Sequence, residues 1–173
     1  GRINFEEIIQ EDYIYVDKTK YIEKLEEENN TTLFYLRPSG FGKSLFTSVL
    51  DNYYGIDKAE KFDTLFNGLY IKEHPTPNKN NYYILKFDFS DMKVDANWNI
   101  DELIDAFYKK VELGIKEFNS RYKMNFEIKR KSTPAQLLGE FFVYFYSLRL
   151  KNKIYIIIDE YDKYMGGVLQ ENA

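Results

Sequence analysis

The stretch TTLFYLRPSGFGKSLFTSVLDNYY, residues 31–54, constrains the fold more than any other part of the chain. Residues 31–36 are β-branched, aromatic and almost wholly apolar, as expected of a strand buried on both faces of a parallel sheet. RPSGFG follows, with one Pro and two Gly as loop punctuation. Apolar residues then recur at 45, 46, 49, 50, 53 and 54, which is a helical period. Gly42-Lys43-Ser44 therefore falls where a strand hands over to a helix through a glycine-containing loop.

The rest of the chain repeats this alternation. Residues 3–28 read as a short lead-in and then a helix, with Asp17 or Thr19 as its cap and Asn29-Asn30 breaking it. Residues 59–71 read as a short helix, 74–81 as a polar loop and 82–90 as a second strand. A long amphipathic helix is expected over 99–121, and a further helix over 132–150, opened by a capping residue and Pro. The aromatic face of the latter reads as core. KIYIIIDEYDKY (153–164) reads as a third buried strand ending in acids. Strands alternating with helices imply an α/β fold, a parallel sheet flanked by helices with right-handed crossovers. The whole of 1–173 is expected to form one domain. Ligands in such folds bind at the carboxyl ends of the strands.

Two motifs carry chemistry. A polyphosphate needs several main-chain N–H donors converging on one place, which glycines permit and a helix N-terminus reinforces. Gly40 and Gly42 suit this, with the backbone of 39–44 as the cradle. The binding loop would comprise Arg37, Pro38, Ser39, Gly40 and Phe41, then Gly42, Lys43, Ser44 and Leu45. Lys43 would reach the β- and γ-phosphates, and the Ser44 hydroxyl would serve Mg²⁺. Arg37 stands where the full phosphate-loop pattern has its first Gly. The competing reading is an ordinary strand–turn–helix joint. The second motif is YIIIDEYD (155–162). Asp159, at the end of an apolar strand, would hold Mg²⁺, which prefers hard oxygen ligands. Glu160 would orient and deprotonate the attacking water. Two acids at a helix start are the competing reading. The acidic pair favours water over a small-molecule acceptor. No Asn-Lys-x-Asp is present to read guanine, so ATP is expected rather than GTP.

Composition narrows the remaining classes. Cysteine is absent, which removes disulfides, thiolate zinc sites and a Cys nucleophile from this chain. The single histidine, His74, sits in a polar loop and reads as a surface residue. A net charge of -4 gives no whole-surface attraction to nucleic acid or anionic membrane. KRKS (129–132) reads as a solvated loop. No run approaches the length of a membrane span, no signal peptide is visible, and a cytoplasmic location is expected. Asp17-Lys18-Thr19 could contact adenine or ribose, or cap a helix. Asp88 and Asp91 could orient water or Mg²⁺, or cap a loop.

YVDKTKYIEKL (15–25), LRPSGFGKSLF (36–46), FDTLFNGLYI (62–71) and IIIDEYD (156–162) together resemble the predicted AAA-ATPase-like family of bacterial and archaeal proteins. Its members carry Tyr-Val-Asp-Lys-Thr, then Arg-Pro-Arg-Arg-Phe-Gly-Lys-Ser, then Asp-Glu-Tyr-Asp. The resemblance makes Arg37 a family feature and moves the departure to Ser39-Gly40, where the family has two arginines. It implies a P-loop NTPase-like sheet of the additional-strand class, ATP and Mg²⁺ as ligands, and hydrolysis catalysed by Lys43 and Glu160. It also implies that a PD-(D/E)XK nuclease-like domain often follows the ATPase. The chain reaches Ala173 about ten residues after the acidic motif, so the sheet is expected to be incomplete on its C-terminal side. A nuclease-like domain or nucleic acid engaged through a later segment, and a homo-oligomer, are the partners expected besides nucleotide. The alternative function is a non-catalytic nucleotide-binding switch or scaffold.

Overall fold

The computed structural model describes residues 4–27, 42–92, 97–129 and 133–160. The expected strand at 31–36 lies outside the described residues. The chain divides into two compact units, residues 1–84 and 85–173.

In the first unit, α1 (Phe5–Gln10) occupies what the sequence suggested was only a lead-in. Its signal was an Asn4/Glu7 capping box, in which each side chain satisfies a main-chain N–H of the other's turn. α2 (Tyr21–Glu27) and α3 (Lys43–Tyr54) fall where expected. The single helix expected over 59–71 is instead three pieces. These are a 3₁₀ turn at Ile56–Lys61, α4 (Phe62–Leu65) and α5 (Tyr70–Glu73), with Gly68 at φ 75 turning the chain between the last two. A left-handed Gly ends a helix readily, which the apolar spacing alone did not reveal. The core is aromatic. Phe66 lies 5.1 Å from Phe5, 5.2 Å from Phe62 and 5.6 Å from Tyr53, centroid to centroid. Phe5 N–H donates to Ser48 Oγ at 2.9 Å, tying α1 to α3.

The second unit holds α6 (Ile100–Tyr122) and α7 (Pro134–Ser147), each within a few residues of expectation. Asn99 and Glu102 form a capping box on α6, and Thr133 caps α7 with Pro at the first turn. Leu137, Phe141 and Phe145 form the buried face of α7. Phe141 packs on Phe118 at 5.1 Å and on Phe126 at 5.5 Å, so the aromatic face is core as expected.

β1 (Tyr82–Asp88) contains the boundary between the units, and it pairs with β2 (Lys153–Asp159) in a two-stranded parallel sheet. The sheet is flanked by helices, a mixed helix and strand architecture. β2 is not buried on both faces. Ile157 and Asp159 are buried, whereas Ile156 and Ile158 are 44% and 47% exposed. That alternation belongs to a strand with one covered face.

Candidate functional site

α3 begins at the Gly-Lys-Ser. Gly42 is its N-cap, at φ 75 and ψ 17, a left-handed conformation that glycine adopts without a Cβ penalty. Among the described residues an added Cβ would meet nothing within 4 Å, and the left-handed backbone by itself calls for glycine here. Phe46 N–H donates to Gly42 O at 3.0 Å and starts the helical ladder. Lys43, Ser44 and Leu45 form the first turn, with Lys43 buried at 5% exposure and Ser44 half-buried. α1 and α6 open with capping boxes and acids in their first turns. α3 opens with neither a side-chain cap nor an acid. Its positive end thus carries no carboxylate of its own first turn, an electrostatic setting that suits an anion. Buried Phe46, Val49, Leu50 and Tyr53 fix the helix below this turn.

The acidic motif lies on the second unit. Phe89 N–H donates to Asp159 O at 3.1 Å, which fixes the end of β2 beside the end of β1. The Asp159 side chain is buried, the residue being 1% exposed. Glu160 follows at φ 61, where a side chain with a Cβ rarely sits. Such outliers persist only where the surroundings hold them, and they gather at functional sites. Gly42, Lys43, Ser44 and Leu45 are thus brought together on one helical turn, and Asp159 and Glu160 on one strand end. The two sets belong to different units. Arg37, Pro38, Ser39, Gly40 and Phe41 lie outside the described residues.

Other sequence candidates resolve into structural roles. Asp17 Oδ1 accepts from Thr19 N–H at 2.8 Å and from Thr19 Oγ at 2.7 Å, while Asp17 Oδ2 accepts from Tyr70 N–H at 2.7 Å. Thr19 Oγ in turn accepts from Ile71 N–H at 3.1 Å, and Thr19 is fully buried. These two side chains cap α5 from fifty residues away rather than α2, and they satisfy donors that α5 has no local cap for. Asp88 Oδ1 accepts from Ser90 N–H at 3.0 Å, the turn-capping role. His74 is exposed and stacks on Tyr70 at 4.3 Å, a surface residue as expected.

A shallow depression of about 470 Å³ in the second unit is lined by the candidate Asp91 but by no residue of the glycine-lysine-serine turn or of the acidic motif. Asp91, Glu102 and Asp105 line it beside Lys109 and Lys110, and Asp105 already pairs with Lys109 at 2.8 Å. That lining offers no phosphate cradle. Among the described residues no cluster of three or more His, Asp or Glu side chains is assembled to hold a metal ion, and no helix is long and apolar enough to cross a membrane.

A family model described as Predicted AAA-ATPase matches residues 1–173, the full length given. The chain belongs to the predicted AAA-ATPase family. The family's name points to an ATPase, which agrees with the phosphate-loop reading of α3. No curated protein and no solved structure matches the chain.

Proposed function

We propose that this member of the predicted AAA-ATPase family binds ATP with Mg²⁺ and hydrolyses it, in a P-loop NTPase-like fold. The reading is carried by the turn at Gly42, where a left-handed glycine leads directly into a helix whose first two residues are Lys43 and Ser44. That is the local geometry by which main-chain N–H groups converge on a phosphate.

Each residue's role follows from its chemistry. Backbone groups of Ser39–Ser44 cradle the phosphates, with Arg37, Pro38 and Leu45 completing the loop. The Lys43 ammonium binds the β- and γ-phosphates and offsets charge as the γ-phosphoryl group is transferred. Glu160 accepts a proton from the attacking water, the new P–O bond forms on the γ-phosphorus, and the bond to the ADP oxygen breaks. The Ser44 hydroxyl and the Asp159 carboxylate are hard oxygen donors of the kind Mg²⁺ takes, and two protein ligands leave room for its waters and phosphate oxygens. Bound there, Mg²⁺ supplies charge neutralisation to the phosphate oxygens. The catalytic contribution is positioning and electrostatics.

ATP turnover measured alongside ATP affinity tests this. Glu160→Gln is expected to keep affinity and lower turnover by about 10²–10⁴-fold, the usual contribution of a general base. Equal, measurable turnover in wild type and Glu160→Gln would remove Glu160 as the base, and ATP binding with turnover in neither would make the chain a binding switch.

A further inference from the structure

Asn67-Gly68 is the single Asn-Gly pair in the sequence, and it lies in the turn between α4 and α5. Asparagine is a thermolabile residue. It decays when the main-chain nitrogen of the next residue reaches its side-chain carbonyl carbon. The turn leaves that route open. Asn67 is exposed and its amide holds no hydrogen bond. The Gly68 N–H is equally uncommitted, whereas Phe66 N–H donates to Phe62 O at 3.0 Å and Leu69 N–H to Phe66 O at 3.1 Å. Gly68 is exposed and brings no side chain of its own to shield its nitrogen. Among the described residues even an added Cβ there would meet nothing within 4 Å. Asn119, also followed by a small residue, gives the contrast. Its Nδ2 donates to Phe126 O at 2.9 Å, and Ser120 lies inside α6, where N–H groups belong to the helical ladder.

We propose that the Asn67-Gly68 turn is a site of spontaneous covalent modification that uncaps α5. The Gly68 nitrogen gives up its proton and attacks Asn67 Cγ. A new C–N bond closes a cyclic imide, the bond from Cγ to Nδ2 breaks, and that nitrogen leaves with the proton as ammonia. Water then opens the ring at either carbonyl carbon. Attack at Cγ breaks its bond to the Gly68 nitrogen and leaves an aspartyl residue in an ordinary main chain. Attack at the main-chain carbonyl carbon breaks the other C–N bond, so the chain runs on through Cγ as an isoaspartyl residue. That second product lengthens the main chain by one carbon just before α5. α5 has no local side-chain cap. Its Tyr70 N–H donates to Asp17 Oδ2 at 2.7 Å and its Ile71 N–H to Thr19 Oγ at 3.1 Å. Both bonds depend on where the turn delivers the first residues of α5, so the added carbon takes the donors away from their acceptors. The proposal does not depend on the nucleotide site.

Ageing of the full chain at neutral and mildly alkaline pH tests it, read by isoelectric focusing, peptide mass analysis and calorimetry. Wild type is expected to gain one negative charge per chain. The peptide holding residues 67 and 68 should show the mass change of NH exchanged for O, faster at higher pH because the attacking nitrogen must lose its proton. The peptide holding Asn119 should keep its mass. Asn67→Gln, which would have to close a larger and slower ring, is expected to lose the acidic form. Aged wild type is expected to melt a few degrees below fresh wild type, as a helix that has lost its cap does. Asn67→Asp carries the charge without the added carbon and is expected to melt with fresh wild type. Wild type that keeps its charge and mass overturns the proposal. So does an Asn67→Gln variant that turns acidic as fast as wild type, or a modified wild type that melts with the fresh protein.

Discussion

Gly114 and Gly139 both lie inside helices, yet replacing each by Ala is expected to change stability with opposite sign. Ala is worth about 1 kcal/mol more than Gly at a helix interior position. At Gly139, on the exposed side of α7, an added Cβ meets nothing within 4 Å, so that gain is realised in full. At Gly114, on the buried face of α6, the Cβ would lie 2.5 and 2.7 Å from two carbons of the Phe87 ring and 2.8 Å from the Lys86 carbonyl oxygen. All three are well inside van der Waals contact, and one belongs to the backbone of β1. The ring is 4% exposed and the oxygen has no rotamer to change, so the helix must lift off the strand. Overpacking of this kind costs typically ~1–3 kcal/mol, more where main chain is involved. Against the propensity gain of about 1 kcal/mol, Gly114→Ala is expected to lose up to about 2 kcal/mol. For a chain of this size that is a fall of up to roughly 8 °C in melting temperature, against a rise of roughly 2–4 °C for Gly139→Ala. Scanning calorimetry of the two variants beside wild type reads both. Phe87→Leu in the Gly114→Ala background should recover part of the loss, a coupling that a double-mutant cycle isolates. A Gly114→Ala variant that gains stability as Gly139→Ala does would refute the close approach of α6 to β1.

Two further variants separate structural from ligand-binding roles. Asp17→Ala removes the acceptor for Tyr70 N–H and for both Thr19 donors, and is expected to cost ~1–2 kcal/mol in chemical denaturation while leaving ATP affinity unchanged. A loss of ATP affinity with stability retained would instead restore the ribose or adenine contact. Hydrogen bonds from Lys61 and then Lys58 hold the Glu6 carboxyl below its ordinary value of 4.5. A carboxylate whose folded pKa is depressed stabilises the fold above its unfolded pKa and loses that contribution as pH falls through the folded value. The stability gap between wild type and Glu6→Gln should therefore be constant above about pH 5 and close as pH falls below 4.5, with high salt shrinking it at every pH. A gap that widens on acidification would contradict the assignment.

Elements whose signals are local were legible in the sequence. α6 and α7 announced themselves by apolar period, by Asn99 with Glu102, and by Thr133 with Pro134. β1 and β2 did so by β-branched and aromatic runs. What stayed hidden depended on distant partners or on backbone conformation. Nothing near Asp17 in sequence indicates that it caps a helix starting at Tyr70. The left-handed turn at Gly68, which separates α4 from α5, leaves the apolar spacing of a continuous helix in the sequence. The run Ile156-Ile157-Ile158 reads as buried on both sides, yet only its middle residue is. The helix start at Lys43 was legible, because a glycine-containing loop runs into a helical apolar period there. The strained backbone of Glu160 was not, since it follows from how β2 ends.

Titration of the wild-type chain with Mg-ATP, beside a Lys43→Ala variant of matched melting temperature, tests the nucleotide site most directly. Saturable binding to wild type is predicted, weakened in the variant by about 10- to 150-fold, the equivalent of a charge-assisted hydrogen bond worth ~1.5–3 kcal/mol. Absence of saturable binding to wild type, or equal affinity in the two proteins, would contradict it.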